Sequence, residues 1–149
     1  MTYAMTTRQT FVLFPIGEKR FAVPAEQVNE LAPHQKFDQQ EQQRFPHTTP
    51  LLTGVVVRRN QIVPVADVAP VLIGPQVPAR RFYLIVSLNM EGDANRMAIP
   101  VSGECELADA EQLPLTGKLP PYVSGLLSIH DEIIEVLNLD LLMSAEVRA

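Results

Sequence analysis

The sequence contains no tryptophan, a single cysteine (Cys105) and few aromatic or charged residues. One cysteine allows no intramolecular disulfide and no zinc site built on cysteine spacing, and we interpret Cys105 as a buried small side chain rather than a nucleophile. The formal net charge is -5, and the sequence shows no basic stripe of the kind that nucleic-acid-binding proteins carry. We therefore expect no nucleic-acid partner.

Long hydrophobic runs are also absent. No apolar run approaches the roughly 20 residues that a membrane-spanning helix needs, and the first ten residues lack the apolar stretch of a signal peptide. Hydrophobic residues nevertheless make up 46% of the chain, which is enough for a core and argues against intrinsic disorder. We expect a cytoplasmic protein without direct membrane insertion.

The common catalytic and nucleotide-binding motifs are missing as well. There is no nucleophile elbow, no dinucleotide-binding glycine motif and no phosphate-binding loop. Asp67 is followed by Val68, where an aspartic protease needs Thr-Gly or Ser-Gly. The histidines lie in predicted loops or turns, in no metal-ligand spacing: His34, His47 and His130. We expect no enzyme, no cofactor and no metal.

The sequence is rich in short β-branched runs that are separated by turn residues, a pattern typical of β proteins. A short helix is predicted from Pro24 to Leu31, and helical turns are predicted over 67–73 and 140–143. We interpret 32–50, 74–79 and 109–121 as loops or connections. Strands are predicted over 11–14, 20–23, 54–59, 62–67, 82–89, 97–101, 103–107, 125–129 and 132–137.

An internal repeat relates two of the predicted hairpins. The segment from Pro50 aligns without a gap with the segment from Pro121, so that Gly54 meets Gly125 at an offset of 71 residues. Asp67 meets Asn138 in this alignment, which also excludes a pair of catalytic aspartates. The repeat predicts two similar β halves related by a pseudo-twofold axis.

The residues of the first hairpin resemble the signature of CheW-like domains. The resemblance lies in Gly54–Val68, in the Val-x-Glu pattern of Val28 to Leu31, and in the last hairpin, Tyr122 to Leu142. It extends over about 11–143. This chain departs from the family pattern where Asn60 replaces a glycine and where Val57 and Arg58 replace an asparagine and a leucine.

The resemblance implies a mainly β fold with a few short helices. A single domain over 1–149 would contain two SH3-like five-stranded β-barrel subdomains packed over a shared core, at about 10–80 and 81–143, with tails at 1–9 and 144–149. It further implies a non-enzymatic adaptor that couples chemoreceptors to a CheA-type histidine kinase beneath membrane receptor arrays. The kinase regulatory domain would bind the first barrel, and the receptor tip would bind the groove between the barrels.

Two alternative functions are compatible with the same residues. One is a CheW-like scaffold of a twitching-motility or type IV pilus signalling system, and the other is a generic SH3-like module that binds peptides. Neither alternative is separated from the first by the residues of this chain.

The expected partner surface follows from the resemblance and from the hairpin. The family pairs an acid with an arginine, here Glu30 with Arg59, and strand alternation predicts that Arg58 faces the opposite side. Ordinary solvated charges and core packing are the alternative interpretations of these positions. Asp67 is predicted to cap the turn after the hairpin. The predicted partner-binding residues are Glu30, Val55, Val57, Arg58, Arg59, Asn60 and Val63 and, for the receptor groove, Val28, Leu84 and Leu107.

Overall fold

A computed structural model describes residues 8–34, 51–88, 96–115 and 117–144, and the fold is mainly β as predicted. Two short helices, α1 (Ala69–Leu72) and α2 (Leu139–Met143), follow the two repeated hairpins. The strands are β1 (Arg8–Ile16), β2 (Lys19–Pro24), β3 (Val28–Pro33), β4 (Leu52–Arg58), β5 (Gln61–Ala66), β6 (Phe82–Ser87), β7 (Arg96–Val101), β8 (Glu106–Glu111), β9 (Val123–Ile129) and β10 (Glu132–Leu137).

The helix predicted from Pro24 to Leu31 is wrong. Only Ala25–Gln27 forms a single 3₁₀ turn, and the chain then extends as β3. β3 pairs antiparallel with β6, with Leu31 opposite Leu84. Helix propensity is a weak preference that tertiary context overrides, and here the pairing with β6 decides the conformation.

Two predicted boundaries also move. Arg8 and Gln9, predicted to lie in a tail, begin β1, and β8 runs from Glu106 to Glu111 rather than over 103–107. Both changes have one cause, because β1 and β8 pair along their length, from Arg8 opposite Glu111 to Leu13 opposite Glu106. The predicted loop over 32–50 is wrong at its start, since Ala32 and Pro33 belong to β3. Its remainder from residue 35, which includes His47, lies outside the described residues.

Each sheet takes strands from both halves of the chain. The first sheet has the order β8-β1-β2-β10-β9, and the second has the order β3-β6-β7-β5-β4. The sheets therefore do not follow the predicted boundary between residues 80 and 81, because β2 pairs in parallel with β10 and β7 pairs in parallel with β5. Exchanging β1–β5 with β6–β10 converts one strand order into the other, so the two halves are related by the symmetry that the repeat predicts.

The repeated hairpins match residue for residue. β9 and β10 begin and end 71 residues after β4 and β5. Both two-residue turns lie in the left-handed region, with φ of 51° and 63° at Arg59 and Asn60 and of 49° and 65° at His130 and Asp131. Two successive left-handed residues are typical of the type I′ turn, whose twist suits a tight hairpin.

Three apolar clusters hold the fold together. The largest lies between the two sheets and includes Phe14, Phe21 and Leu84, while each sheet also encloses a smaller cluster of its own. The first sheet closes further where the backbone N–H of Leu113 donates to the carbonyl of Leu126 over 2.7 Å. Two five-stranded units packed over a shared core are the predicted architecture.

Candidate functional site

The outward face of the β4–β5 hairpin is apolar and exposed. Val55 lies opposite Pro64, and Val57 lies opposite Ile62. Ile62 is 70% exposed and Val57 is 49% exposed, while Val55 and Pro64 are half-buried. We call these four residues the docking face. Adjacent exposed apolar side chains on one face of a sheet mark a surface that can pack against a partner.

Strand alternation produces this face. Val56, Val63 and Val65 point inward and are almost fully buried, in a cluster with Tyr83 and Ile85. Their neighbours in sequence must therefore point outward. β5, which contains Pro64, lies between β7 and β4, and its pairing with β4 shifts register between Leu52 and Gly54, as at a β-bulge. Val63, one of the predicted contact residues, supports the face from within.

The β9–β10 hairpin has a different outward face. Leu126 lies opposite Glu135, and Ser128 lies opposite Ile133. Ile133 is 57% exposed, but Glu135 accepts a salt bridge from Lys19 at 2.9 Å. The two hairpins thus share their backbone geometry while only the first presents four apolar residues.

An ion-pair cluster lies beside the docking face. Glu30 on β3 receives the Arg58 guanidinium at 3.3 Å (Nε to Oε1) and 3.4 Å (Nη2 to Oε2), and an Arg59 nitrogen lies 3.7 Å from Oε2. β3 and β4 are the two outer strands of the second sheet, so the cluster joins its edges through side chains. Partly exposed pairs at these distances are worth about 0–1 kcal/mol.

The prediction that Arg58 and Arg59 lie on opposite faces is wrong, since both guanidinium groups reach Glu30. The reason is the turn: Arg59 has a φ of 51° and no longer follows the alternation of the strand. The side chain of Arg58 is 34% exposed, whereas that of Arg59 is 79% exposed. Arg58 is therefore the closer partner of Glu30, and Arg59 is the more accessible cation.

The three residues predicted for the receptor groove belong to two sheets and differ in exposure. Leu84 is fully buried in the core between the sheets and is not presented at the surface. Val28 is half-buried at the start of β3, in the second sheet. Leu107 is 72% exposed on β8, an outer strand of the first sheet.

The predicted role of Asp67 as a cap is confirmed. Its Oδ1 accepts the backbone N–H of Ala69 at 3.2 Å, at the start of α1. The other carboxylate oxygen pairs with Arg80, a partner that the sequence did not indicate. At the matching position, Asn138 Oδ1 accepts the N–H of Leu141 at 3.0 Å and caps α2.

Cys105, which is predicted to be buried, is half-buried against the core between the sheets. Burial raises the pKa of the Cys105 thiol to about 11, so the thiol stays protonated near neutral pH and is a poor nucleophile. Within the four described segments, no three His, Cys, Asp or Glu side chains are grouped as a metal site would need. His130 occupies a left-handed turn position rather than a cleft.

Ile62 and Pro64 are absent from the predicted contact residues, although the structure places them on the docking face. The signal was present in the sequence: Val55 and Val57 were predicted to contact a partner, and their cross-strand neighbours share that face. The register needed to identify those neighbours depends on a two-residue turn at Arg59 and Asn60.

The comparisons with known proteins agree with this architecture. The family model of the CheW-like domain matches residues 10–147. The crystal structure of the scaffolding protein TtCheW from Thermoanaerobacter tengcongensis superposes with a TM-score of 0.71 at 17% sequence identity, over 99% of this chain and 96% of that chain. No curated protein matches this sequence at a significant level.

Two findings bear on the class of protein. No described helix has the length and apolar character required to cross a membrane. CheW-like proteins are non-enzymatic scaffolds, in agreement with the expectation that this chain is not an enzyme. Because the family model covers nearly all of the sequence, the chain belongs to the CheW-like domain family.

Proposed function

We propose that this chain is an adaptor that couples chemoreceptors to a CheA-type histidine kinase. The observation that carries the proposal is the docking face: within a CheW-like fold, two exposed and two half-buried apolar residues lie together beside a charged cluster. Apolar contact area flanked by charged groups is the usual composition of a protein–protein interface. The chain would contribute binding surfaces and no chemical step.

The kinase regulatory domain is the proposed occupant of the docking face. Ile62 and Val57 supply apolar area that is open to solvent in the free chain. Arg59 and Asn60 form the exposed tip of the same hairpin, next to Glu30. The apolar residues would supply affinity, and the charges at the tip would orient the encounter.

The receptor tip is the proposed occupant of a second surface, between the sheets. Val28 and Leu107 are the exposed or half-buried members of the predicted groove, and they belong to different sheets. A helical hairpin bound across this boundary would contact both halves of the fold. Leu84 would act from the core, by holding the strand on which Val28 pairs. The proposed location is the cytoplasm, beneath receptor arrays.

Charge reversal at the hairpin tip tests the proposal. Arg59→Glu changes a side chain that is 79% exposed, so the free energy of unfolding should change by about 0.5 kcal/mol or less. In the complex the new carboxylate would replace a cation at the contact surface, and unfavourable charge placement across an interface can cost several kcal/mol. We expect the affinity for the kinase regulatory domain to fall by about 10-fold or more.

Arg58→Glu is the matched control. It removes the closer partner of Glu30 and places two carboxylates together, so we expect a measurable loss of stability in addition to weaker binding. The melting temperature and the affinity are measured on the same samples. Wild-type affinity in a folded Arg59→Glu variant would exclude the hairpin tip from the kinase interface, and affinity lost for the receptor alone would place the tip at the receptor surface.

A further inference from the structure

The two halves of this chain cannot complete their sheets separately. The first half, 10–80, supplies β1 and β2 to the first sheet and β3, β4 and β5 to the second, and the second half, 81–143, supplies the complementary strands. The halves meet at two parallel strand pairs, β2 with β10 and β5 with β7. Each half therefore uses the other as its sheet partner, although the two halves are repeats of one pattern.

The core between the sheets is shared equally between the halves. Among the described residues it holds eighteen that are buried, and neither half can cover its share without the other because the two sets face one another across the sheets. The first half contributes nine: Val12, Phe14, Ile16, Phe21, Val23, Leu51, Ala66, Val68 and Ala69. The second half contributes nine: Leu84, Val86, Leu88, Met97, Ile99, Val101, Leu137, Leu139 and Leu142.

Charged side chains reinforce the junction of β2 with β10. Arg20 pairs with Glu132 on β10 at 2.9 Å and also with Glu106, the first residue of β8. Lys19 pairs with Glu135 at 2.9 Å. Each of these pairs joins a residue of the first half to a residue of the second. The same pairs would therefore form if the second half came from another copy of the chain.

The only covalent connection between the halves is an exposed linker, from Gly74 to Ala79, which ends before the Arg80 that pairs with Asp67. Val77 is 86% exposed, and Gly74 has a φ of 81° with open space around it. An open pocket of about 440 Å³ lies beside Gln76 of the linker and is also lined by Ile16 and Ile133. A different path for residues 74–79 would thus give up few packed contacts.

We propose that a second copy of this chain can take the place of a chain's own second half, which gives an exchanged dimer. Each unit of that dimer would contain every strand pair and every ion pair described above, and only the linker would follow a new path. Closed monomer and exchanged dimer then differ mainly in the entropy of association. Glu30, Arg58 and the docking face lie within one half, so each unit keeps a complete candidate site and the dimer is bivalent.

The linker sets the protein concentration at which the exchanged dimer competes with the closed monomer. A short flexible linker holds two modules at an effective concentration in the mM range. Refolding at about 1 mM should therefore give monomer and exchanged dimer in comparable amounts, and refolding at about 5 µM should give below about 1% dimer. An exchanged dimer can dissociate only if the strand pairs and the core between its halves are disrupted. The dimer formed at high concentration should therefore persist after dilution.

The test uses two full-length versions of the chain with different affinity tags. They are unfolded together in denaturant, refolded at about 1 mM, diluted and separated by size-exclusion chromatography with light scattering. We expect a dimer with the circular dichroism of the monomer, of which about half carries both tags. The control sample is mixed at the same concentration without unfolding, and it should contain no doubly tagged species.

Two results would overturn the proposal. One is a wholly monomeric protein after refolding at about 1 mM. The other is a doubly tagged species that forms without unfolding and dissociates on dilution, since this is ordinary surface association. A variant that lacks residues 75–78 strains the closed linker and should raise the dimer fraction at about 5 µM at least 10-fold; should it not fold, the wild-type refolding decides.

Discussion

Replacing Ile62 by lysine on the docking face should weaken kinase binding while the fold stays intact. Ile62 is 70% exposed, and burying an isoleucine completely is worth about 1.5–3 kcal/mol. In the free chain less than a third of the Ile62 side chain is buried, so the lysine variant should lose only about 0.5–1 kcal/mol of the free energy of unfolding. Covering the remaining area in a complex corresponds to about 1–2 kcal/mol, or roughly a 5- to 30-fold loss of affinity.

The repeat supplies the matched control for this variant. Ile133 occupies the position 71 residues later, also on the outward face of a hairpin, and it is 57% exposed. Ile133→Lys should cost the same stability, because the two sites have the same backbone and similar exposure. The affinity of the Ile133→Lys variant for the kinase regulatory domain should stay within about threefold of wild type, which corresponds to a change of less than about 0.7 kcal/mol in binding free energy.

Calorimetric titration of each variant with the kinase regulatory domain, together with urea denaturation of the same samples, separates affinity from folding. The reasoning fails if Ile62→Lys binds like wild type, or if Ile133→Lys weakens binding as much as Ile62→Lys does. The second outcome would mean that the apolar composition of the first hairpin does not select the kinase.

Three further predictions concern the fold. Asp67→Ala removes the acceptor of the Ala69 N–H in the turn before α1 and the partner of Arg80, and urea denaturation should show a loss of about 1–2 kcal/mol; an unchanged denaturation midpoint would show that these contacts do not stabilise the fold. In Gly125→Ala the new methyl group would collide with the Gln112 side chain, whose amide donates to the Ser124 carbonyl. We expect about 1–3 kcal/mol of destabilisation, relieved in part by Gln112→Ala in the same chain, and an equally unstable double variant would contradict this. The Cys105 thiol, with its pKa raised to about 11 by burial, should react with iodoacetamide near neutral pH much more slowly in the native than in the unfolded chain. Because the unfolded pKa is about 8.5, the folded chain holds the proton more tightly, and stability should decline as the pH rises from about 9 through about 11; rapid native labelling at pH 7.5 would refute the argument.

Local patterns in the sequence predict the hairpins well. The β-branched runs on either side of Asn60 and of Asp131 predict both strands and turns, and the 71-residue offset predicts that the two hairpins share one geometry. These features depend on interactions between residues close in sequence. The helix proposed at Pro24 fails for the opposite reason, because β3 is extended by its pairing with β6, more than fifty residues away.

Long-range pairing also limits what the sequence predicts about the site. The exchange of strands between the halves depends on the parallel pairs of β2 with β10 and of β5 with β7, and no local signal encodes which half a strand joins. The shared contact of Arg58 and Arg59 with Glu30 depends on the left-handed turn at Arg59. The side chains of β4 alternate between faces only as far as Arg58, where the strand ends. Extending this alternation to Arg59 therefore places its side chain on the wrong face.

The most direct test of the adaptor function is co-sedimentation of three purified components. The chain, a CheA-type kinase and membrane vesicles carrying chemoreceptors from the same organism are mixed, and the kinase in the pellet is measured with and without the chain. We expect the chain to bind to the vesicles and to increase the amount of sedimented kinase several-fold. The Ile62→Lys variant should bind to the vesicles but no longer recruit the kinase. A chain that stays in the supernatant, or a pelleted amount of kinase that does not depend on the chain, would contradict the adaptor function.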